Sequence, residues 1–297
     1  NSLLSAVQAI LMTVKALDGK PVASFVQLAK LLVSLLGAIT ILSLLIGQSP
    51  IILLSGLGAL AAILIIVFKD TILGLVASIQ ISAYDMVRVG DWISMPKYEA
   101  DGDVIAITLN TVQVQNWNKT ISTIPAYALI SDSFTNWRGM QESGGRRIKR
   151  ALNIKVGSIK FCSPEMVERF KKYHLVTEYI ETREAEISAH NHEKGVDKTE
   201  LINGRHMTNI GVFRRYTENY LLQNPNINKE MTCMVRQLEP GDNGLPIEIY
   251  CFSADKRWIQ YEGIIADIFD HLLAAAGYFE LEVFQSPTGS DFSAMAR

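Results

Sequence analysis

Residues 31–68 read LLVSLLGAITILSLLIGQSPIILLSGLGALAAILIIVF, a run with no formal charge, bounded by Lys30 and Lys69. Only Gln48-Ser49-Pro50 interrupts it, so it reads as two apolar helices, Leu31 to Gly47 and Ile51 to Phe68, joined in a tight hairpin. Each is near the lower end of the roughly 17 to 25 residues that cross a hydrocarbon core of about 30 Å. The chain is therefore expected to be a membrane protein.

The helical pattern continues past Phe68. After the adjacent charges Lys69 and Asp70, residues Thr71 to Ala83 are again uncharged and free of proline. A straight helix over Ile51 to Ala83 is about 50 Å long at about 1.5 Å per residue, more than one bilayer core. Neighbouring residues do not face each other on a helix, so Lys69 and Asp70 do not neutralise one another. A charge at mid-bilayer costs about 3 kcal/mol, which sets this dipeptide at the interface. The reading is a bend between a spanning helix, 51–68, and an interfacial helix, 71–83.

The second span is crowded with small residues, Gly56, Gly58, Ala59, Ala61 and Ala62. Spacings such as Gly58-xxx-Ala62 and Ser55-xxx-Ala59 let helix backbones approach closely in lipid, where burial of apolar side chains alone drives nothing. Two readings compete: packing within the hairpin itself, or contact with copies of the same helix around an axis. With one leucine-rich partner span visible, the second is favoured. Lysines and arginines flank both outer ends of the hairpin (Lys20, Lys30, Lys69, Arg88) and none lies in its turn, so both ends and the polar remainder are expected on the cytoplasmic side.

The remaining chain is of another kind. It holds most of the charge and every Tyr and Trp of the 297 residues, and its length suits about two further domains. A net charge of −2 argues against nucleic acid as a partner. From Tyr84 to Arg138 the period is two, in 87–91, 103–107, 111–114 and 120–124, with Asp101-Gly102 and Asn118-Lys119 as candidate tight turns and Pro125 as a strand end. This is expected to be a small all-β module over 84–138. Residues 139–297 read as an α+β domain: a strand around 149–156, a helix opened by Ser163-Pro164-Glu165, a helix near 207–222, strands near 231–237 and 247–252, a helix over 258–275 and a last strand near 279–284. Residues around 188–206, with His190 and His192, read as an inserted polar loop. Residues 1–22 are expected to be the end of a preceding membrane helix and its connection, since the first residue is Asn and 1–17 are moderately apolar.

Signals for chemistry are few. There is no GxGxxG, Walker-type loop, HExxH or GxSxG. Cys162, Cys233 and Cys251 are odd in number and widely spaced, which favours free thiols over a disulfide framework or zinc site. His190 and His192 are better explained as exposed polar filling than as a metal site. Asn118-Lys119-Thr120 matches a glycosylation acceptor but fits a β-turn, and the run Arg146 to Arg150 is read as a charged strand edge in preference to a lipid-headgroup site. No enzymatic activity, metal or cofactor is expected.

In that order, the small-residue helix, charged break, second helix and β-module resemble the small-conductance mechanosensitive channel (MscS) family. The resemblance runs from about Gly56 to Trp137, through Val89-Gly90-Asp91, Gly102-x-Val104, Thr111, Ile124-Pro125, Leu129 and Asn136-Trp137. The wording of 124–130, the insertion and the extended C-terminal domain are similar to the miniconductance, YbdG-type branch. Where the family prototype has Gln-Gly this chain has Lys69-Asp70, and where it has Asn this chain has Ala126.

The resemblance implies a bent pore helix, an Sm-like β-module and a homo-oligomeric ring, a heptamer, in the bacterial inner membrane. It also implies partners: membrane lipids, and permeating ions and small solutes. The prototype's two leucine constriction rings fall on Ala62 and Ile66. Ala62 is too short to seal a pore, so Ile66 is the first candidate, Phe68 the second, and Ile65 the choice if the helix turns by one position. Lys69 and Asp70 would stand at the bend and pore mouth. Against this channel stand two other classes, a membrane-anchored scaffold or sensor without a pore and, with least support, a membrane-bound enzyme.

Overall fold

A computed structural model describes residues 22–197 and 200–286, with side chains from residue 26 onward. The segment expected to end an earlier helix, 1–22, lies outside the described residues apart from Val22. Among the described residues, two helices are long and apolar enough to cross a bilayer: α1 (Val22–Ile46) and α2 (Pro50–Ala83). Almost none of either apolar window is buried within the chain, unlike the core helix of a soluble domain.

The local chemistry of the hairpin explains its turn. Gly47 takes φ +71°, a left-handed conformation that favours glycine just past a helix end. The Gln48 N–H then reaches back to the Ser43 carbonyl at 3.1 Å. Ser49 caps the next helix by accepting from the Ile51 N–H at 3.3 Å, and Pro50 occupies the first turn, where a missing N–H costs nothing.

Helix α2 carries 34 residues without interruption. The expected separation of an interfacial helix at Lys69-Asp70 is not a gap in helical hydrogen bonding. Neither residue removes an N–H or frees the backbone as Pro or Gly would. The chain divides into two compact units, 1–135 and 136–297.

In the first unit, β1 (Trp92–Met95), β2 (Ala100–Ile107), β3 (Thr111–Asn116), β4 (Ile121–Pro125) and β5 (Thr135–Asn136) form a sheet in the order β4-β3-β2-β1-β5. The short helix α3 (Ala128–Ser131) follows β4. Val104, Val112, Val114, Ile93, Met95 and Ile124 are fully or nearly fully buried, the inward half of the two-residue alternation.

Two expectations are corrected here. Residues 87–91 form a turn rather than a strand: Gly90 has φ +93° and the Asp91 carboxylate accepts the Arg88 N–H at 2.9 Å. Asp101-Gly102 lies inside β2 rather than in a turn, and the β1–β2 reversal falls at Pro96–Tyr98 and Glu99. Asp101 is held there by the Trp92 indole at 2.8 Å and the Ser94 hydroxyl at 2.6 Å, while its N–H donates to Asn116 at 2.9 Å. The Asn118-Lys119 turn is present, with Lys119 at φ +72° and Asn118 accepting from the Thr120 N–H at 3.1 Å.

The second unit is an α+β domain. Its sheet has the order β6-β8-β7, all antiparallel, from β6 (Arg146–Ile154), β7 (Met234–Gln237) and β8 (Leu245–Ser253). Its main helices, after the short α4 (Arg138–Glu142), are α5 (Pro164–Phe170), α6 (Thr177–Glu193), α7 (Asn209–Gln223) and α8 (Trp258–Ala276). Ser163 caps α5 by accepting from the Met166 N–H at 3.3 Å, as Ser-Pro-Glu implies.

Helix α6 was not expected. It is polar, and it runs through 188–193, so His190 and His192 belong to its last turns rather than to a loop. The expected strand at 279–284 reduces to a 3-10 turn at Gly277–Phe279 and one isolated bridge, Ile154 to Val283. The basic run 146–150 is part of β6, an edge strand of its sheet: the Arg146 guanidinium lies 4.1 Å over the Tyr261 ring, and Lys149 is 4.0 Å from Glu248. Cys162, Cys233 and Cys251 are free, and no cluster of metal-ligating side chains occurs among the described residues. Burial pushes the Cys251 thiol up to about 12 and Cys162 to about 11, so neither is a reactive thiolate.

Candidate functional site

The residues singled out for a pore all lie on α2 and are exposed in the single chain. A side chain built on Gly56 or Gly58 would meet nothing within 4 Å, so these glycines do not serve close packing against α1 or any other described part of the chain. Ala59, Ala61 and Ala62 are likewise exposed. Ile66, at 75% exposure, Ile65 and Phe68 project from the chain without a covering partner. Lys69 and Asp70 are exposed and form no ion pair with each other or with another described residue.

Helix geometry divides these candidates. At 3.6 residues per turn, Ile66 and Phe68 are about 200° apart and do not line one channel together. Ala59, Ala62, Ile66 and Asp70 follow spacings of three and four and form one stripe. Ile65 shares the other side with Phe68 and Ala61.

The first stripe leads to the one part of α2 that is buried. Continuing at the same spacing it reaches Gly74, Ala77 and Ile81, the buried residues of the helix. Ala77 and Ile81 join the β-module core beside Val87, Ile93 and Val104. The β2–β3 turn closes over this segment: the Ser78 hydroxyl donates to the Leu109 carbonyl at 2.6 Å and to that of Thr108 at 3.2 Å. At Gly74 a Cβ would stand 2.4 Å from the Asn110 Oδ1, so the helix and turn meet at a spacing only glycine permits as they stand.

The turn is itself braced. The Thr108 N–H donates to the Thr111 carbonyl at 2.8 Å, the two hydroxyls are 2.9 Å apart, and the Asn110 carbonyl accepts the Ala126 N–H at 2.8 Å. Any tilt of α2 at this end must therefore move the β-module turn or break these contacts. Sequence reading missed this dock. Its signal was present in Gly74-xx-Ala77-xxx-Ile81, a small-residue stripe continuing past the span, but nothing in the sequence paired it with Thr108 to Asn110.

A pair of exposed apolar helices long enough to cross a bilayer, the second running unbroken into a five-stranded β-module, joins a candidate membrane element directly to a β-sheet domain. Residues 70–139, the end of α2 and the β-module, match the family model "Mechanosensitive ion channel, beta-domain". The match begins on α2 itself, at Asp70. The fold is shared with solved structures at low identity. Arabidopsis thaliana MSL1 superposes with a TM-score of 0.55 at 11% identity, over 95% of this chain and 82% of that one. Helicobacter pylori MscS, in a structure described as the closed state, gives 0.50 at 14% identity, over 97% and 91%.

Proposed function

We propose that this protein is an MscS-family mechanosensitive ion channel, opened by membrane tension and weakly selective, that releases ions and small solutes under hypoosmotic shock. In this reading it is a homo-oligomer, a heptamer, of the miniconductance, YbdG-type branch. It sits in the bacterial inner membrane with its C-terminal domain in the cytoplasm. The observation that carries the reading is the continuity of α2, an exposed span with open glycines at one end and a mechanosensitive-channel β-domain docked on the other.

The mechanism follows from residue types. Copies of α2 meet along Gly56, Gly58, Ala59 and Ala61, where close backbone approach is possible. The neck is then ringed by Ile66 or by Phe68 with Ile65, groups that do not replace an ion's hydration shell, and it closes by dewetting rather than by a plug. The apolar part of α2 carries no Asp, Glu, Arg or Lys from Ile51 to Phe68, so strong charge selection is not expected, and Lys69 and Asp70 bias flow only at the mouth. Tension acts through area: it shifts the equilibrium toward the wider state by the difference between the states and no more. Leucine-rich α1 faces the lipid and transmits the load.

The test is patch recording from membranes holding the full chain, with Ile66→Ser and Phe68→Ser beside wild type. The expected result is tension-gated current in wild type and an eased threshold in at least one variant. Absence of any tension-gated current would favour a membrane-anchored scaffold, and unchanged threshold and conductance in both variants would reject the constriction.

A further inference from the structure

The second unit holds a cavity of about 510 Å³ that the channel reading does not use. It lies between the turn after α5, the middle of α7 and the C-terminal end of α8. We propose that it is a binding site for a small planar aromatic anion, of the size of a two-ring aromatic carboxylate.

The hollow has a sequence cause. Helix α8 ends in Ala274-Ala275-Ala276, so methyl groups face a set of large rings and leave space where leucines would have filled it. The floor is Phe279, which is buried and surrounded by the rings of Tyr173, Tyr216 and Phe213 at centroid distances of 5.4, 5.1 and 5.4 Å. These rings are fixed by their own bonds. The Tyr216 hydroxyl and His271 Nε2 are 2.7 Å apart, His271 stacks on Tyr220 at 4.2 Å, and the Tyr173 hydroxyl donates to the Tyr278 carbonyl at 3.3 Å. A preformed, mainly aromatic cavity of a few hundred Å³ with a small number of polar groups is the usual form of a small-molecule site.

Charge sets the ligand's sign. No acidic side chain lines the cavity, whereas Lys172 and His174 stand at its rim. Lys171, beside it, is paired to Glu168 and Glu184 at 2.6 and 2.9 Å, but Lys172 forms no ion pair among the described residues. A flat ring between Ala274 and the Phe279 floor brings a carboxylate or sulfonate substituent within reach of that amine. Ring stacking and one charge contact then share the recognition.

The experiment is calorimetric titration of the detergent-solubilised full chain with 2-naphthoate, and with 2-naphthylmethanol as the uncharged control. Wild type is expected to bind naphthoate saturably at one site per chain, and more tightly than the alcohol. Ala274→Leu, at an exposed helical position, fills the cavity and is expected to weaken both by about tenfold or more, with Ala274→Met as a second filling variant. Lys172→Ala is expected to weaken naphthoate by about fivefold and leave the alcohol unchanged. No saturable binding to wild type, or binding untouched by both filling variants, overturns the site, and equal loss of acid and alcohol in Lys172→Ala overturns the anion preference. None of these outcomes depends on whether the chain conducts ions.

Discussion

Gly74→Ala tests the dock between α2 and the β-module, because two effects of known sign oppose each other there. The added Cβ would lie 2.4 Å from Asn110 Oδ1, 3.1 Å from its Cγ and 3.3 Å from its Cα. The first two contacts are relieved only if the Asn110 side chain swings away, and the third is backbone. Overpacking of this kind costs about 1–3 kcal/mol. Against it, alanine is favoured over glycine inside a helix by about 1 kcal/mol. The single variant is thus expected to be destabilised by about 0–2 kcal/mol. In an Asn110→Ala background the two nearest obstacles are gone and only the 3.3 Å approach remains, so the same change is expected to be neutral or stabilising by up to about 1 kcal/mol. The Asn110 side chain makes no hydrogen bond among the described residues, so its truncation alone costs little. Thermal or urea unfolding of the four members of this double-mutant cycle, on the full chain in detergent, gives a coupling of about 1–3 kcal/mol. If Gly74→Ala has the same effect in both backgrounds, within about 0.5 kcal/mol, the two residues do not meet and the dock is wrong.

Other outcomes follow from the same geometry. Ser78→Ala removes the donor to the Leu109 carbonyl, and is expected to loosen the dock by about 1 kcal/mol and shift the tension threshold in patch recordings without altering open conductance. Gly102→Ala places a Cβ 2.0 Å from the Gln115 carbonyl and 2.7 Å from the Asn116 Cα, both backbone, so unfolding measurements are expected to show a loss of about 3 kcal/mol or more. Ile66→Ser and Phe68→Ser are expected to differ in effect, since these positions are about 200° apart on the helix, and equal gains of function from both would refute a single helix rotation around the pore. Arg169 and Lys160 beside Glu280 hold its carboxyl below the usual carboxylate range. A depressed folded value adds stability that is complete above the unfolded value of about 4.3 and is lost as pH falls through the folded one. Glu280→Gln is therefore expected to lower stability at neutral pH by less than about 1 kcal/mol, for so exposed a pair, and to converge with wild type in acid denaturation curves once the pH has fallen below the folded-state value.

The hairpin was legible in sequence because its signals are local: charge-free runs set the helices, and Gly47, Ser49 and Pro50 are the residue types that end one helix and start another. Much of the β-module was legible for the same reason, since Val112 and Val114 or Ile124 alternate with polar neighbours. Asp101-Gly102 misled because its turn chemistry is identical to that of a residue pair needed for another purpose. Gly102 is there because the β3 backbone approaches too closely for a side chain, and Asp101 because it accepts from Trp92 and Ser94. Helix α6 escaped notice because its faces are polar, with Ile180 and Asn191 its only buried residues. The Ser78 and Asn110 contacts are long-range pairings with no local signature, and so is the ring-lined hollow behind Ala274. The pore candidates sit between these cases: their apolar, small and charged character is plain in the sequence, but which stripe of α2 faces an axis depends on neighbouring copies.

That dependence points to the decisive measurement, a structure of the assembled full chain in lipid nanodiscs that counts subunits and follows the radius of any central opening. A closed ring, expected to hold seven copies of α2 around a throat narrowest at Ile66 or Phe68, is the predicted result. Copies of α2 surrounded only by acyl chains, with no opening between protomers, would contradict it.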